Sequence, residues 1–211
     1  MLSHLLGLLL IPSAAFSAPA EKAQKYVNCD IRSSLTNYFD ITDYSLGIQL
    51  NVSSLGNSLH FNGRPFSGSV YKNGNFATIS GGGVNGNANK FGNGYSVNAT
   101  VYEPGQPSRY LNFTLRANGP LEDPNYSPSF SLFSGDANLQ FYPSFGGREY
   151  RVSGSVDEQR FGAAGTAVAA LVVTTYMSER KPKDKALPDA QWLEKSPTAL
   201  PVLLKGVVPL R

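Results

Sequence analysis

The sequence has few of the residues on which metal binding and covalent cross-linking depend. It contains one cysteine, Cys29, and two histidines, His4 and His60, among 211 residues. A single cysteine excludes an internal disulfide, so the stability of the chain has to come from a packed core. Zinc and copper sites usually need several histidine or cysteine ligands, and we therefore expect no metal and no cofactor.

Groups for nucleophilic catalysis are scarce as well. No Gly-x-Ser-x-Gly motif marks a nucleophile, and His60 lies in a short predicted strand, where a lone histidine is typically structural. We predict no catalytic residue. A carboxylate-based hydrolase is the alternative, but no acid pair stands out among Glu103, Glu122, Asp123, Asp136, Glu149, Asp157 and Glu158.

Charge is the third scarcity. Charged residues make up 16% of the sequence, against about 25% in a typical soluble chain. Acidic and basic residues are equal in number from 21 to 178, so the whole net charge of +3 lies in 179–211. A neutral folded part has no electrostatic footprint for nucleic acid, which we exclude as a predicted partner.

Residues 1–20 have the pattern of a secretory signal peptide. An apolar run from Leu5 to Ile11 is followed by Pro12 and by small residues that suit signal peptidase. This pattern predicts a secreted, extracellular protein. What remains after cleavage is enough for one domain with a tail.

Three regions follow the predicted signal peptide. In 21–43, Val27, Ile31, Leu35 and Tyr38 recur at a spacing that places them on one face of a helix, which predicts an N-terminal helical segment. Residues 44–178 form the predicted β domain. The Pro- and Lys-containing segment 179–211 is an expected extended tail, in which Trp192 is a candidate docking contact.

Alternation of apolar and polar residues supports the β assignment. The segment Tyr95–Tyr102 places its apolar residues on one face and Ser96, Asn98 and Thr100 on the other, and 111–115 alternates in the same way. Asn73-Gly74 is a typical hairpin turn. We predict an antiparallel β-sandwich or barrel of about 8–10 short strands, with Gly81–Gly94 as a loop or wide turn.

The uncharged segment 161–178 has two interpretations. Its β-branched residues favour a buried final strand from Ala167 to Met177. Its length only just reaches the lower limit of about 17 residues for a membrane-spanning helix, and basic residues follow it. The second interpretation would make 161–178 a membrane anchor.

Four asparagines lie in N-glycosylation sequons: Asn51, Asn98, Asn112 and Asn125. The first three fall on the polar faces of predicted strands, where attached sugars would point to solvent. Cys29 is predicted to be a buried or free thiol, with an intermolecular disulfide as the alternative.

Aromatic residues give the main indication of a binding function. The predicted ligand surface combines exposed aromatics with the asparagines of the Gly-rich stretch: Tyr126, Tyr142, Phe145, Tyr150, Asn85 and Asn87. Sugar rings stack on aromatic faces while amides and hydroxyls hydrogen-bond them. We therefore expect a secreted, non-enzymatic protein that binds carbohydrate, a cell wall or another cell-surface ligand. The alternatives are a membrane-tethered structural protein and a hydrolase; the oligomeric state stays open.

Overall fold

The computed structural model describes residues 23–35, 37–123 and 125–180, and the predicted signal peptide and nearly all of the predicted tail, including Trp192, lie outside them. The described residues form twelve β-strands and one α-helix, with a single 3-10 turn at Phe145–Gly147. The elements are β1 (Gln24–Leu35), β2 (Tyr38–Asp43), β3 (Ile48–Leu55), β4 (Ser58–Arg64), β5 (Ser67–Asn73), β6 (Phe76–Gly82), β7 (Val84–Phe91), β8 (Gly94–Val101), β9 (Arg109–Asn118), β10 (Ser129–Ser134), β11 (Ala137–Ser144), β12 (Glu149–Asp157) and α1 (Gly162–Glu179).

The strands form a closed antiparallel barrel. Each strand pairs with its neighbours in sequence, and β1 pairs with β12 from Gln24 opposite Asp157 to Arg32 opposite Glu149. This closure leaves no strand of the sheet without a partner. The predicted mainly β fold is confirmed, as a barrel of twelve strands.

Alternation places one face of every strand in the core. On β8, Tyr95, Val97, Ala99 and Val101 are buried, whereas the residues between them are half-buried on the outer face. The predicted hairpin at Asn73-Gly74 is also present, with Asn73 paired to Phe76 and Gly74 at φ 58°.

The helix α1 lies inside the barrel. Its residues are buried on all sides from Ala164 to Met177, with Leu171 fully inaccessible. Aromatic contacts join both ends of α1 to the strands: the ring centroids of Phe113 and Phe161 are 5.5 Å apart, and those of Phe130 and Tyr176 are 5.2 Å apart. A helix that is apolar all round requires such an enclosed position.

We call the end at which β12 finishes the entry end and the opposite end the exit end. The chain enters the barrel after Asp157, where Arg109 donates to the carbonyl of Gln159 at 2.7 Å. It reaches the exit end at Ser178, whose hydroxyl is 3.1 Å from the ammonium of Lys72 on β5. The helix therefore runs the length of the barrel.

The width of the barrel explains why a helix fills it. An eight-stranded barrel can be filled by its own side chains, but the diameter grows with strand number. Alanine-rich α1 has good helix propensity and a small cross-section. The buried hydroxyls of its threonines are satisfied internally, since Thr166, Thr174 and Thr175 donate to carbonyls four residues earlier at 2.8–2.9 Å.

The predicted helical segment at 21–43 is wrong. These residues form β1 and β2, in which Val27, Cys29 and Ile31 point inward. A spacing of four residues is even, so it keeps side chains on one face of a strand as well as of a helix. The structured barrel therefore begins well before residue 44.

The predicted buried strand at Ala167–Met177 is also wrong, because this segment is the central part of α1. A segment buried on all sides shows no alternation of apolar and polar residues. Its β-branched residues then favour a strand, but they do not exclude a helix. Among the helices of the described residues, none has the length and apolar character needed to cross a membrane.

The Gly-rich stretch Gly81–Gly94 is mostly strand, not a loop. It contains the end of β6, all of β7 and the start of β8, with a turn at Gly83. Gly86 points into the barrel where a Cβ atom would lie 2.6 Å from the Cβ of Ala99. Glycine at this position lets β7 and β8 approach each other closely. Its role is close packing and not chain flexibility.

Candidate functional site

A groove of about 510 Å³ crosses the outer face of β1 to β4 near the exit end. We call it the β1–β4 groove. Its outward side chains come from four strands, and its floor is formed where Phe39, Val52 and Phe61 turn into the core. The outward residues are Ser34, Leu35, Tyr38, Asp40, Asn51, Ser53, His60 and Asn62.

Strand register arranges the polar residues of the groove in two rows. Asn51 on β3 lies between Asp40 on β2 and Asn62 on β4. Directly opposed residues of antiparallel strands have Cβ atoms about 4.5–5.5 Å apart. The first row therefore presents three planar polar groups side by side.

The second row adds an aromatic ring and an imidazole. Ser53 lies between Tyr38 on β2 and His60 on β4. Tyr38 is 54% exposed, and the neighbouring Leu35 is 66% exposed. The groove thus has an apolar aromatic edge beside a strip of amide, carboxylate, hydroxyl and imidazole groups.

The chemistry of this strip suits hydroxyl-rich ligands. Amide side chains both donate and accept hydrogen bonds, while an ionised carboxylate only accepts. Sugar hydroxyls need both kinds of partner, and the apolar face of a sugar ring needs a flat apolar surface, which Tyr38 provides. The volume falls within the 300–1,000 Å³ range of ligand pockets.

The residues of the predicted ligand surface do not come together. Tyr150 is buried at 1% exposure inside the barrel, where its hydroxyl donates to the carbonyl of Pro128 at 2.9 Å. It cannot be a surface contact, and that assignment is wrong. The others are spread over the barrel: Asn85 and Asn87 lie on β7, Tyr142 on β11, Phe145 on the 3-10 turn and Tyr126 between β9 and β10.

Sequence reasoning missed the groove because its members are far apart in the chain. His60 was predicted to be structural, yet it is exposed on the outer face of β4 and lines the groove. From the sequence, Asn51 was recognisable only as part of an N-glycosylation sequon. The sequence pattern places Tyr38, Asn51 and His60 on the outer faces of strands. It does not show which residues of neighbouring strands lie opposite each other.

The outer face of β5 to β9 is a second distinctive surface, which we call the neutral face. Of the side chains that point outward from these five strands, only Arg116 carries a charge. Asn87, Asn98 and Asn112 form a row across β7, β8 and β9. The opposite side of the barrel differs, since Asp30 on β1 pairs there with Arg32 at 3.0 Å.

Two candidate acids share a pocket of about 370 Å³ at the entry end. Glu103 is 2.6 Å from the guanidinium of Arg109, and Glu158 is 2.8 Å from the ammonium of Lys25. Each of these two carboxylates is therefore paired with a cation.

The ends of α1 carry charges of both signs, and Glu179, the last residue of the helix, opposes its dipole. Basic Lys72, which points inward from β5, lies beside the C-terminal end of the helix, whose carbonyl groups carry partial negative charge. Arg180 donates there to Ser127 at 2.7 Å. At the entry end the buried carboxylate of Asp157 accepts the backbone amides of Gln159 and Arg160 at 3.0 Å each.

Cys29 is buried in the barrel wall. It is fully inaccessible on β1, and burial, together with the nearby Asp43 and Asp30, raises the pKa of its thiol. The thiolate is the reactive form, so this thiol is inert in the folded protein. The alternative of an intermolecular disulfide would require Cys29 to leave the core.

Within the described ranges, no group of three or more histidine, cysteine, aspartate and glutamate side chains is placed to hold a metal ion. The described residues thus form a closed twelve-stranded antiparallel barrel with an enclosed helix and a groove on its outer face. Comparison with known proteins gave no match to a family model, a curated sequence or a solved structure.

Proposed function

We propose that this protein is a secreted, non-enzymatic barrel that binds a short neutral oligosaccharide in the β1–β4 groove. The observation that carries the proposal is the double row in this groove, with Asp40, Asn51 and Asn62 beside Tyr38 and His60. The predicted secretory signal at 1–20 is consistent with a ligand outside the cell.

The polar side chains of the groove are available to bind a ligand, which supports the proposal. The structure gives Asp40, Asn51, His60 and Asn62 no side-chain hydrogen bond to another described residue, so a ligand need not displace internal partners. Rings that stack on Tyr38 would place their edge hydroxyls over the first row. The stacking supplies apolar contact area, and the row supplies orientation and specificity.

A sugar on Asn51 would fill the groove, so the proposal requires this sequon to stay unmodified in the secreted protein. The test measures binding of unglycosylated protein produced in a bacterial host. Neutral tetra- to hexasaccharides of glucose, mannose, galactose and N-acetylglucosamine are titrated by calorimetry. We expect one series to bind, and Tyr38→Ala to weaken that binding by about tenfold or more, the size of a typical hot-spot loss. Asn62→Ala should weaken it as well.

Tyr142→Ala provides a matched control. Tyr142 lies on the outer face of β11 and is 52% exposed, close to the exposure of Tyr38, but it is outside the groove. We expect its Kd to stay within about twofold of the parent protein. If none of the series binds, or if both tyrosine variants lose affinity equally, the groove is not the carbohydrate site.

A further inference from the structure

The two sequons on the neutral face form one composite site. Asn98 on β8 lies directly opposite Asn112 on β9, and the side-chain amide of Asn112 donates to Oδ1 of Asn98 at 3.0 Å. The hydroxyl of Tyr110 donates to the same oxygen at 3.0 Å. In the folded protein, a sugar on one asparagine would therefore lie within contact distance of the other.

We propose that Asn112 is the N-glycosylated member of this pair, and that the folded protein never carries a sugar on both asparagines. Directly opposed residues have Cβ atoms about 4.5–5.5 Å apart, which is less than the width of a substituted sugar ring. Sugars on both asparagines of one folded molecule would therefore compete for the same space above β8 and β9.

Three features favour Asn112 over Asn98. Asn112 is exposed, whereas Asn98 is half-buried. Tyr110, Asn112 and Thr114 lie in line on the outer face of β9, because residues two apart share a face. Tyr110 is 67% exposed, so its ring can receive the apolar face of the first sugar. At the corresponding position before Asn98, Ser96 offers no ring.

The covalent step uses a sugar donor of the polyisoprenyl diphosphate-linked oligosaccharide class. Nδ2 of Asn112 forms a bond to the anomeric carbon and loses one proton. The bond from that carbon to the diphosphate oxygen breaks, and the lipid diphosphate leaves with the electron pair. One N–H remains on Nδ2, so the hydrogen bond to Asn98 can persist after transfer.

The test secretes the full chain from a eukaryotic host and maps occupancy of each sequon by glycopeptide mass spectrometry, with intact mass to detect double occupancy. We expect sugar on Asn112, an unmodified Asn98 and no molecule with both. Sugar on both residues of one molecule, preference for Asn98, or absence of sugar from both would overturn the proposal.

A second measurement tests the role of Tyr110. In the glycosylated protein, Tyr110→Ser should lower Tm by about 2–4 °C more than it does in unglycosylated protein from bacteria. Tyr110→Phe keeps the ring and loses only the hydroxyl, so it should retain the glycan-dependent part of the stability. Equal shifts of Tyr110→Ser in both proteins would show that the ring does not contact the sugar.

Discussion

Leu171→Ala should destabilise this protein strongly, because Leu171 lies midway along α1 with no accessible surface. Leucine-to-alanine substitutions in cores cost about 2–5 kcal/mol, and the cost grows with the cavity that remains. Here strands hydrogen-bonded into a closed ring surround the helix, so the wall cannot easily collapse onto the gap. We therefore expect a loss near the upper part of the range, about 4 kcal/mol.

The assays are urea unfolding and thermal unfolding, both followed by far-ultraviolet circular dichroism. A loss of this size should lower Tm by about 8–16 °C in a domain of this length, with an unchanged dependence of unfolding free energy on urea. Leu171→Met keeps most of the volume and should cost less than about 1.5 kcal/mol. Leu55→Ala is the surface control, since Leu55 is 76% exposed, and should stay within about 0.5 kcal/mol. A loss below about 1.5 kcal/mol for Leu171→Ala would refute the enclosed position of the helix.

Two further predictions concern buried titratable groups. Cys29 should react with a maleimide more than ~100-fold more slowly in native protein than in urea, because reaction requires opening of the core; comparable rates would place the thiol at the surface. Stability should fall as the pH rises above about 9, since burial raises the pKa of the Cys29 thiol and of three tyrosines above their ordinary values, and the unfolded chain then loses protons first. Lys72 acts in the opposite direction, because burial lowers its pKa, but it is one group against Tyr95, Tyr150 and Tyr176. Urea midpoints measured from pH 8 to 11 test this, and midpoints that stay constant or rise over this range would contradict it.

The β fold was predictable wherever strands have one dry and one wet face. Val97, Ala99 and Val101 alternate with polar residues on β8, and period-2 alternation has no helical counterpart. The spacing of Val27 and Ile31 was ambiguous because four residues separate positions that share a face in both structures. Residues Ala167–Met177 carry no alternation, so the environment provided by the barrel decided their conformation.

The groove was less accessible to sequence reasoning than the fold. Tyr38, Asn51 and His60 become neighbours only through the register of β2, β3 and β4, and single-sequence patterns define faces but not pairing partners across strands. The opposite error concerns Tyr150, which was predicted to lie on the surface but is buried. Tyr150 belongs to an aromatic-rich segment, which suggested a binding surface. On β12, however, its side chain points into the barrel, where its hydroxyl donates to the carbonyl of Pro128.

The enclosed helix has a consequence for the order of events during synthesis. The part around which β1 to β12 pack is also the last described element to leave the ribosome, at Gly162–Glu179. A nascent chain that ends at β12 can pair its strands but has nothing to fill the space between them. The barrel cannot complete its core strand by strand as translation proceeds, and its final structure has to form after residue 180 has emerged.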